Sequence, residues 1–187
     1  MAAQRAGWRE LLLGLAPARL VFVDESGAHT QMTRRGGRAL GGQRLGAPVP
    51  HGHHQTTTLI AAVCLSGPLA PWLFEGAMDG EMFLAWVRQG LVPLLQKDDL
   101  VILDNLSIHQ VAGVREALAG AGARLLYLPP YSPDLNPIEN LWSKVKQILR
   151  SLAPRTQSEL AAAAKTAFDA ISTADCQGFF AHAKYAI

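Results

Sequence analysis

The chain has 187 residues, a formal net charge of +2, 49% hydrophobic residues and 17% charged ones. That balance suits one domain with a real core, since domains cluster near ~100–150 residues, and it excludes a disordered polyelectrolyte. Two cysteines, Cys64 and Cys176, are too few for a disulfide scaffold and fit reduced thiols in a cytoplasmic protein; no apolar run is long enough to span a membrane.

The opening "MAAQRAGWRELLLGLAPARL" makes a poor signal peptide, because Arg9 and Glu10 precede a very short apolar core. It reads as a short amphipathic helix, so residues 1–18 form a helical lead-in and 19–187 the domain proper. "RLVFVD" and, later, "DLVILD" each run through four apolar residues and stop on Asp24 and Asp104. Such runs are strands buried on both faces, and sites in open α/β sheets lie beyond the carboxyl ends of strands. After Asp24 comes "RRGGRALGGQRLG", a turn-rich excursion whose glycine pairs lack the spacing and the Lys-Ser/Thr of a phosphate-binding loop. "HGHHQ" supplies His51, His53 and His54 without a partner carboxylate or cysteine at zinc spacing, so a polar loop is expected there.

"TTTLIAAVCL" and "APWLFEG" form a strand pair with "SGPL" as the turn. "DGEMFLAWVRQGLVPLL" has helical spacing, with Pro93 able to kink it, and "HQVAGVREALAGAGA" is a helix ending on glycines, followed by the strand "RLLYL". Trp72, Trp86 and Trp142 read as core. Helices make up the remainder, so the chain is an α/β domain with a mixed sheet flanked by helices.

In "LPPYSPDLNPIENLW", Asn136-Pro137-Ile138-Glu139 approximates a capping box, with Asn at the cap and Glu three residues on. Glu139 therefore has two roles open to it, a local cap and a chemical one. In the helix that follows, Ile138, Leu141, Trp142, Val145, Ile148 and Leu149 form the core stripe, while Glu139, Ser143, Lys146 and Arg150 share a neighbouring stripe. Charge is also segregated: no acid occurs between Glu25 and Glu75, where Arg34, Arg35, Arg38 and Arg44 fall. After Glu139, Lys144, Lys146, Arg150 and Arg155 precede the next acid, Glu159. Two such basic segments are what a polyanion such as DNA requires, although solvated loops account for them equally.

If Asp24 and Asp104 sit on adjacent strand ends with Glu139 beside them, each close pair repels by about 4 kcal/mol at 4 Å and an effective dielectric near 20. Such a cluster asks for a cation, and an all-oxygen donor set favours Mg²⁺ or Mn²⁺. Two such ions suit phosphodiester chemistry, one for the attacking and one for the leaving oxygen. Around them, Glu25 points to the opposite strand face from Asp24 and is expected to be a structural acid or one that supports the site. Asn105 and His109 sit just after Asp104, where His109 is placed to orient a metal-bound carboxylate, touch a phosphate or bond nearby backbone.

"VFVDES", "VILDNLSIH" and "LPPYSPDLNPIENLW" closely resemble the three catalytic motifs of mariner-type DDE transposases, particularly their bacterial insertion-sequence branch; 34 residues separate Asp104 from Glu139, the family's spacing. The resemblance covers about residues 19–185 and implies a ribonuclease-H-like fold. It further implies Asp24, Asp104 and Glu139 as catalytic metal ligands, and DNA cleavage and strand transfer on transposon ends and target DNA. A homodimer and a nucleoid-associated cytoplasmic protein are the corresponding expectations. Only 23 residues precede Asp24, too few for the helix-turn-helix unit of full-length relatives, so a separate helix-turn-helix polypeptide is an expected partner. A stand-alone ribonuclease-H-like nuclease and a non-catalytic DNA-binding remnant remain as alternatives.

Overall fold

The computed structural model describes residues 14–46, 48–51 and 56–185, together with Arg5, Gly7, Trp8, Glu10 and Leu11. His53 and His54 lie outside the described residues, as does most of the expected N-terminal helix, whose described residues from Arg5 to Leu11 are helical. Five strands make one mixed sheet: β1 (Leu20–Ala28), β2 (Thr57–Cys64), β3 (Gly67–Glu75), β4 (Leu100–Leu103) and β5 (Arg124–Tyr127), in the order β3-β2-β1-β4-β5. β1 pairs antiparallel with β2 and parallel with β4, and β5 continues the parallel half. The expected mixed sheet is therefore present.

β1 alternates between two cores. Leu20 and Phe22 face one apolar layer with α3 (Ile138–Leu152), α4 (Gln157–Asp169) and α5 (Thr173–His182); Val21 and Val23 face the other with α1 (Gly80–Trp86) and α2 (Val114–Gly120). Because successive side chains point to opposite faces, Asp24 falls on the α3 side and Glu25 on the α1 side. β2 and β4 are buried along their whole length, as two-sided strands must be. Cys64 and Cys176 are buried and unbridged, and among the described residues no helix is long and apolar enough to cross a membrane.

Three local readings need correction. The first strand does not stop at Asp24 but runs on to Ala28, because β2 keeps pairing with it through Ala28↔Thr57 after β4 has ended. Asp24 thus sits at a fork where β1 outlasts its parallel neighbour. The helix expected from His109 begins only at Val114, since Gly113 takes a left-handed φ of +96° that breaks it from the short turn Ser107–Gln110. Pro93, which has no N–H to donate, follows a widened turn over Val87–Leu91 and lies in a tightened one over Val92–Leu94, rather than in a simple kink. Elsewhere local chemistry decides the ends: the Asp79 side chain caps α1 by accepting from the Met82 N–H at 2.9 Å, and Ala153 at φ +51° ahead of Pro154 stops α3.

Candidate active site

The parallel register Phe22↔Ile102, extended by two residues, sets Asp24 beside Asp104. α3 lies on the same sheet face as Asp24 and starts one residue before Glu139. All three acids line one cavity of about 420 Å³, walled on its apolar side by Leu106, Leu128, Pro129 and Pro130. Among the described residues no three of His, Cys, Asp and Glu are gathered tightly enough to hold an ion as they stand. The acids share a cavity wall without being drawn to ligand distance.

Glu139 does not close the capping box. No described side chain caps α3, Pro137 already has helical angles, and the Glu139 carboxylate stays exposed. Asn136 is extended, and its backbone carbonyl accepts the Glu139 N–H at 3.2 Å, leaving its side chain free of the cap. Asn136 is among the residues that line the cavity. Asn136 is 4% exposed, yet its Oδ1 has no hydrogen-bond partner among the described residues. A buried acceptor without a donor is costly and rare. The sequence pattern conceals it, because Asn before Pro in a helix start looks like an ordinary cap.

Behind Asp104 stands His109, fully buried and clasped from both sides. Its Nε2 lies 2.9 and 3.0 Å from the two oxygens of Glu25, and its Nδ1 2.7 Å from Asp104 Oδ1. The ring packs 4.5 Å from that of Phe83, and its carbonyl accepts from the Tyr127 hydroxyl at 3.1 Å. Burial works against a charged imidazole, but the two carboxylates outweigh it and lift the pKa to about 10, so His109 is an imidazolium bridging two acids. Burial likewise works to raise the Asp104 carboxyl, yet His109 and the Leu106 N–H, 3.0 Å from Oδ1, hold it below its ordinary value. Glu25 and His109 thus support Asp104 from behind. Asn105 lines the cavity, but its Oδ1 is taken by the Gln110 amide at 2.7 Å.

Asp24 is the opposite case. Burial first, then the charges of Glu25, Glu139 and Asp104, push it up to about 7. Two neighbouring acids are thereby driven apart: Asp104 is ionised, while Asp24 holds its proton near neutrality. A raised folded pKa contributes stability that is fully present below the unfolded value and lost as pH rises through the folded one. In chelator, Asp24 is therefore expected to cost stability between about pH 4 and 7, and His109 to continue the loss towards about 10. At about 1.4 kcal/mol per pKa unit, discounted for partial exposure, the Asp24 share is ~2 kcal/mol. Thermal melts of Asp24→Asn should lose the lower part of this decline; an unchanged pH profile would contradict the assignment.

The predicted basic residues divide. Arg34, Arg35 and Arg150 line a second groove of about 390 Å³. Arg155 explains why: it donates to the carbonyls of Thr30 and Met32, each at 3.1 Å, and of Pro154 at 3.2 Å, tying the Arg-rich excursion to the end of α3. Lys146 is half-buried between groove and acids. Burial and then Arg150 lower its pKa, with Glu139 and Asp24 acting the other way. Arg38 and Arg44 are exposed on the same excursion and do not line the groove.

Comparison with known proteins gives a consistent picture. Residues 19–161 match the family described as DDE superfamily endonuclease. No protein of curated function matches the chain by sequence. Among solved structures, the Mos1 mariner paired-end complex with Mn is similar at a TM-score of 0.76 and 18% identity, covering 98% of this chain and 58% of that one. The catalytic domain of Mos1 mariner transposase gives 0.69 and 16% identity, covering 98% and 88%, and the same catalytic domain with Raltegravir and Mg gives 0.68 and 16%, covering 97% and 90%. The fold is ribonuclease-H-like, and the chain spans under two thirds of the transposase chain in the first of these complexes.

Proposed function

The chain belongs to the DDE superfamily endonuclease family, and from that premise we propose that residues 19–187 are the catalytic domain of a transposase, with residues 1–18 a helical lead-in. The observation that carries the reading is the convergence of Asp24, Asp104 and Glu139, far apart in sequence, on one cavity. The donor set fits a divalent ion of the hard class: three carboxylates on one cavity, with the His109 imidazole already committed to Glu25 and Asp104. The three acids would hold Mg²⁺ or Mn²⁺, two ions by our reading, whose charge would offset the repulsion among the carboxylates. When bound, the metal supplies charge stabilisation and an activated oxygen for attack on a phosphodiester.

The chain's own residues do the rest. Asp104 stays ionised because His109 and the Leu106 N–H hold it so, and it presents a ready ligand. Asp24 must shed its proton on loading, so Mn²⁺ affinity is expected to fall about tenfold per pH unit below about 7. Calorimetry across pH 5.5–8 measures this, and a pH-independent affinity would refute it. Lys146 sits where a phosphate between groove and cavity would be neutralised, while Arg34, Arg35 and Arg150 track the backbone of the same DNA. Replacing Arg35 and Arg150 by Ala should weaken binding of any DNA sequence alike. It should also lower the slope of log affinity against log salt by about 0.9 for each phosphate left without its cation.

The substrates in this reading are transposon ends and target DNA. Mos1 has been crystallised in paired-end and strand-transfer complexes. Joining two ends favours a homodimer, and base-specific recognition of the ends falls to a helix-turn-helix polypeptide acting with this chain. The test offers plasmid DNA, a linear duplex and an RNA–DNA hybrid with Mg²⁺, Mn²⁺ or chelator, beside Asp104→Asn. Metal-dependent DNA nicking lost in the variant supports the proposal. Cleavage of the hybrid alone indicates a nuclease of another class, and DNA binding without cleavage indicates a remnant.

A further inference from the structure

Tyr185 lies far from the acids in sequence but touches the supports of two of them. Its hydroxyl donates to the Leu135 carbonyl at 2.6 Å, four residues before Glu139 in the proline-rich loop. Its ring packs 5.0 Å from Phe22, two residues before Asp24 on β1, and 5.9 Å from Phe180, which itself meets Phe22 edge-on at 5.5 Å. One side chain therefore spans from the strand that carries Asp24 to the loop that delivers Glu139. Burial raises the phenol pKa, so it remains a donor at any working pH.

The N-terminal residues reinforce the same loop from outside. Trp8, 6% exposed, donates its Nε1–H to the Tyr185 hydroxyl at 3.3 Å. Arg5 reaches the Tyr131 carbonyl at 3.5 Å and the Ser132 hydroxyl at 2.9 Å, and forms an ion pair with Asp134. The loop needs holding, since Tyr131 is a non-glycine residue at φ +54° and is 88% exposed, with little packing of its own. Proline limits the loop's freedom without fixing where it sits; these contacts fix where.

We propose that Tyr185, backed by Trp8, is a positioning residue that sets Glu139 against Asp24 for metal binding and cleavage. The assignment rests on the function proposed above. It touches neither substrate nor metal, so its effect must pass through the loop. Misplacing one ligand in a preorganised set slows chemistry, and loss of a group that orients a metal ligand typically costs about 10–100-fold in metal affinity or activity.

The test is Tyr185→Phe, which keeps the ring between Phe22 and Phe180 and removes only the hydroxyl. Three readouts separate positioning from general loosening: amide hydrogen exchange over residues 131–139, Mn²⁺ affinity by calorimetry, and kcat and KM for DNA nicking. The expected result is faster exchange in that loop alone, with Mn²⁺ affinity and kcat each down about tenfold and KM for DNA within twofold of wild type. Trp8→Phe should give the same pattern, weaker, and serves should Tyr185→Phe fail to fold. Wild-type exchange in the loop overturns the proposal, as does a rise in KM with faster exchange throughout the sheet. Wild-type protein that neither binds Mn²⁺ nor nicks DNA counts against the transposase reading, and the exchange measurement then decides the loop assignment by itself.

Discussion

Neutralising any one of the three cavity acids, as Asp24→Asn, Asp104→Asn or Glu139→Gln, is expected to lower metal-dependent DNA nicking by about a thousandfold, or ~4 kcal/mol of transition-state stabilisation. Each change keeps shape and removes one charge from an oxygen-lined cavity. Their side effects should differ. Asp24→Asn relieves a buried, crowded carboxyl and should stabilise the metal-free protein above pH 7, whereas Asp104→Asn breaks the clasp on His109 and should destabilise it. Glu139 is exposed and uncapping, so Glu139→Gln should leave the melting temperature alone. Single-turnover nicking with and without Mn²⁺, beside thermal melts, measures both effects. Activity near wild type in any of the three would remove that acid from the mechanism, and a lower melting temperature in Glu139→Gln would return it to a structural role.

His109→Ala should carry the largest penalty in stability. It leaves Glu25, with a side chain only 12% exposed, without its partner and opens a hole beside Phe83. Breaking a buried pair by removing one partner typically costs 3–5 kcal/mol, which for a chain of this size lowers the melting temperature by roughly 10 °C. Asp104 also loses the bond that keeps it ionised, so nicking should fall together with stability. A double change, Glu25→Gln with His109→Gln, replaces the charged pair by neutral hydrogen-bonding groups and should recover much of the stability with less of the activity. His109→Ala with a wild-type melting temperature would show that the clasp holds nothing together.

What could be read from the linear chain follows from local rules. Two runs of four apolar residues ending in Asp are strands buried on both faces wherever they lie, and a helix-spaced stripe after Pro137 is a helix with one buried side. The motif resemblance singled out Asp24, Asp104 and Glu139; in the structure the three line one cavity, though no three such groups among the described residues are gathered tightly enough to hold an ion. Glu25 and His109 were legible as neighbours of the acids, though not as each other's partners. The capping reading of Asn136 misled for an instructive reason. Its backbone does what a cap does, so the sequence signature is genuine, while its side chain caps nothing and its buried Oδ1 finds no donor among the described residues.

The strands, the helix behind Glu139 and the chemical class of the donors are written in the linear pattern, because strand and helix periodicities and residue chemistry act over a few neighbouring positions. Which groups meet is settled by packing alone: His109 with Glu25 across 84 residues, Arg5 with Ser132 across 127, Trp8 with Tyr185 across 177. No local propensity encodes such pairs, since they exist only once the sheet has ordered its strands and the two cores have closed on either face. The protonation of Asp24 and the ionisation of Asp104 arise in the same way, from burial and neighbours that the linear chain does not contain.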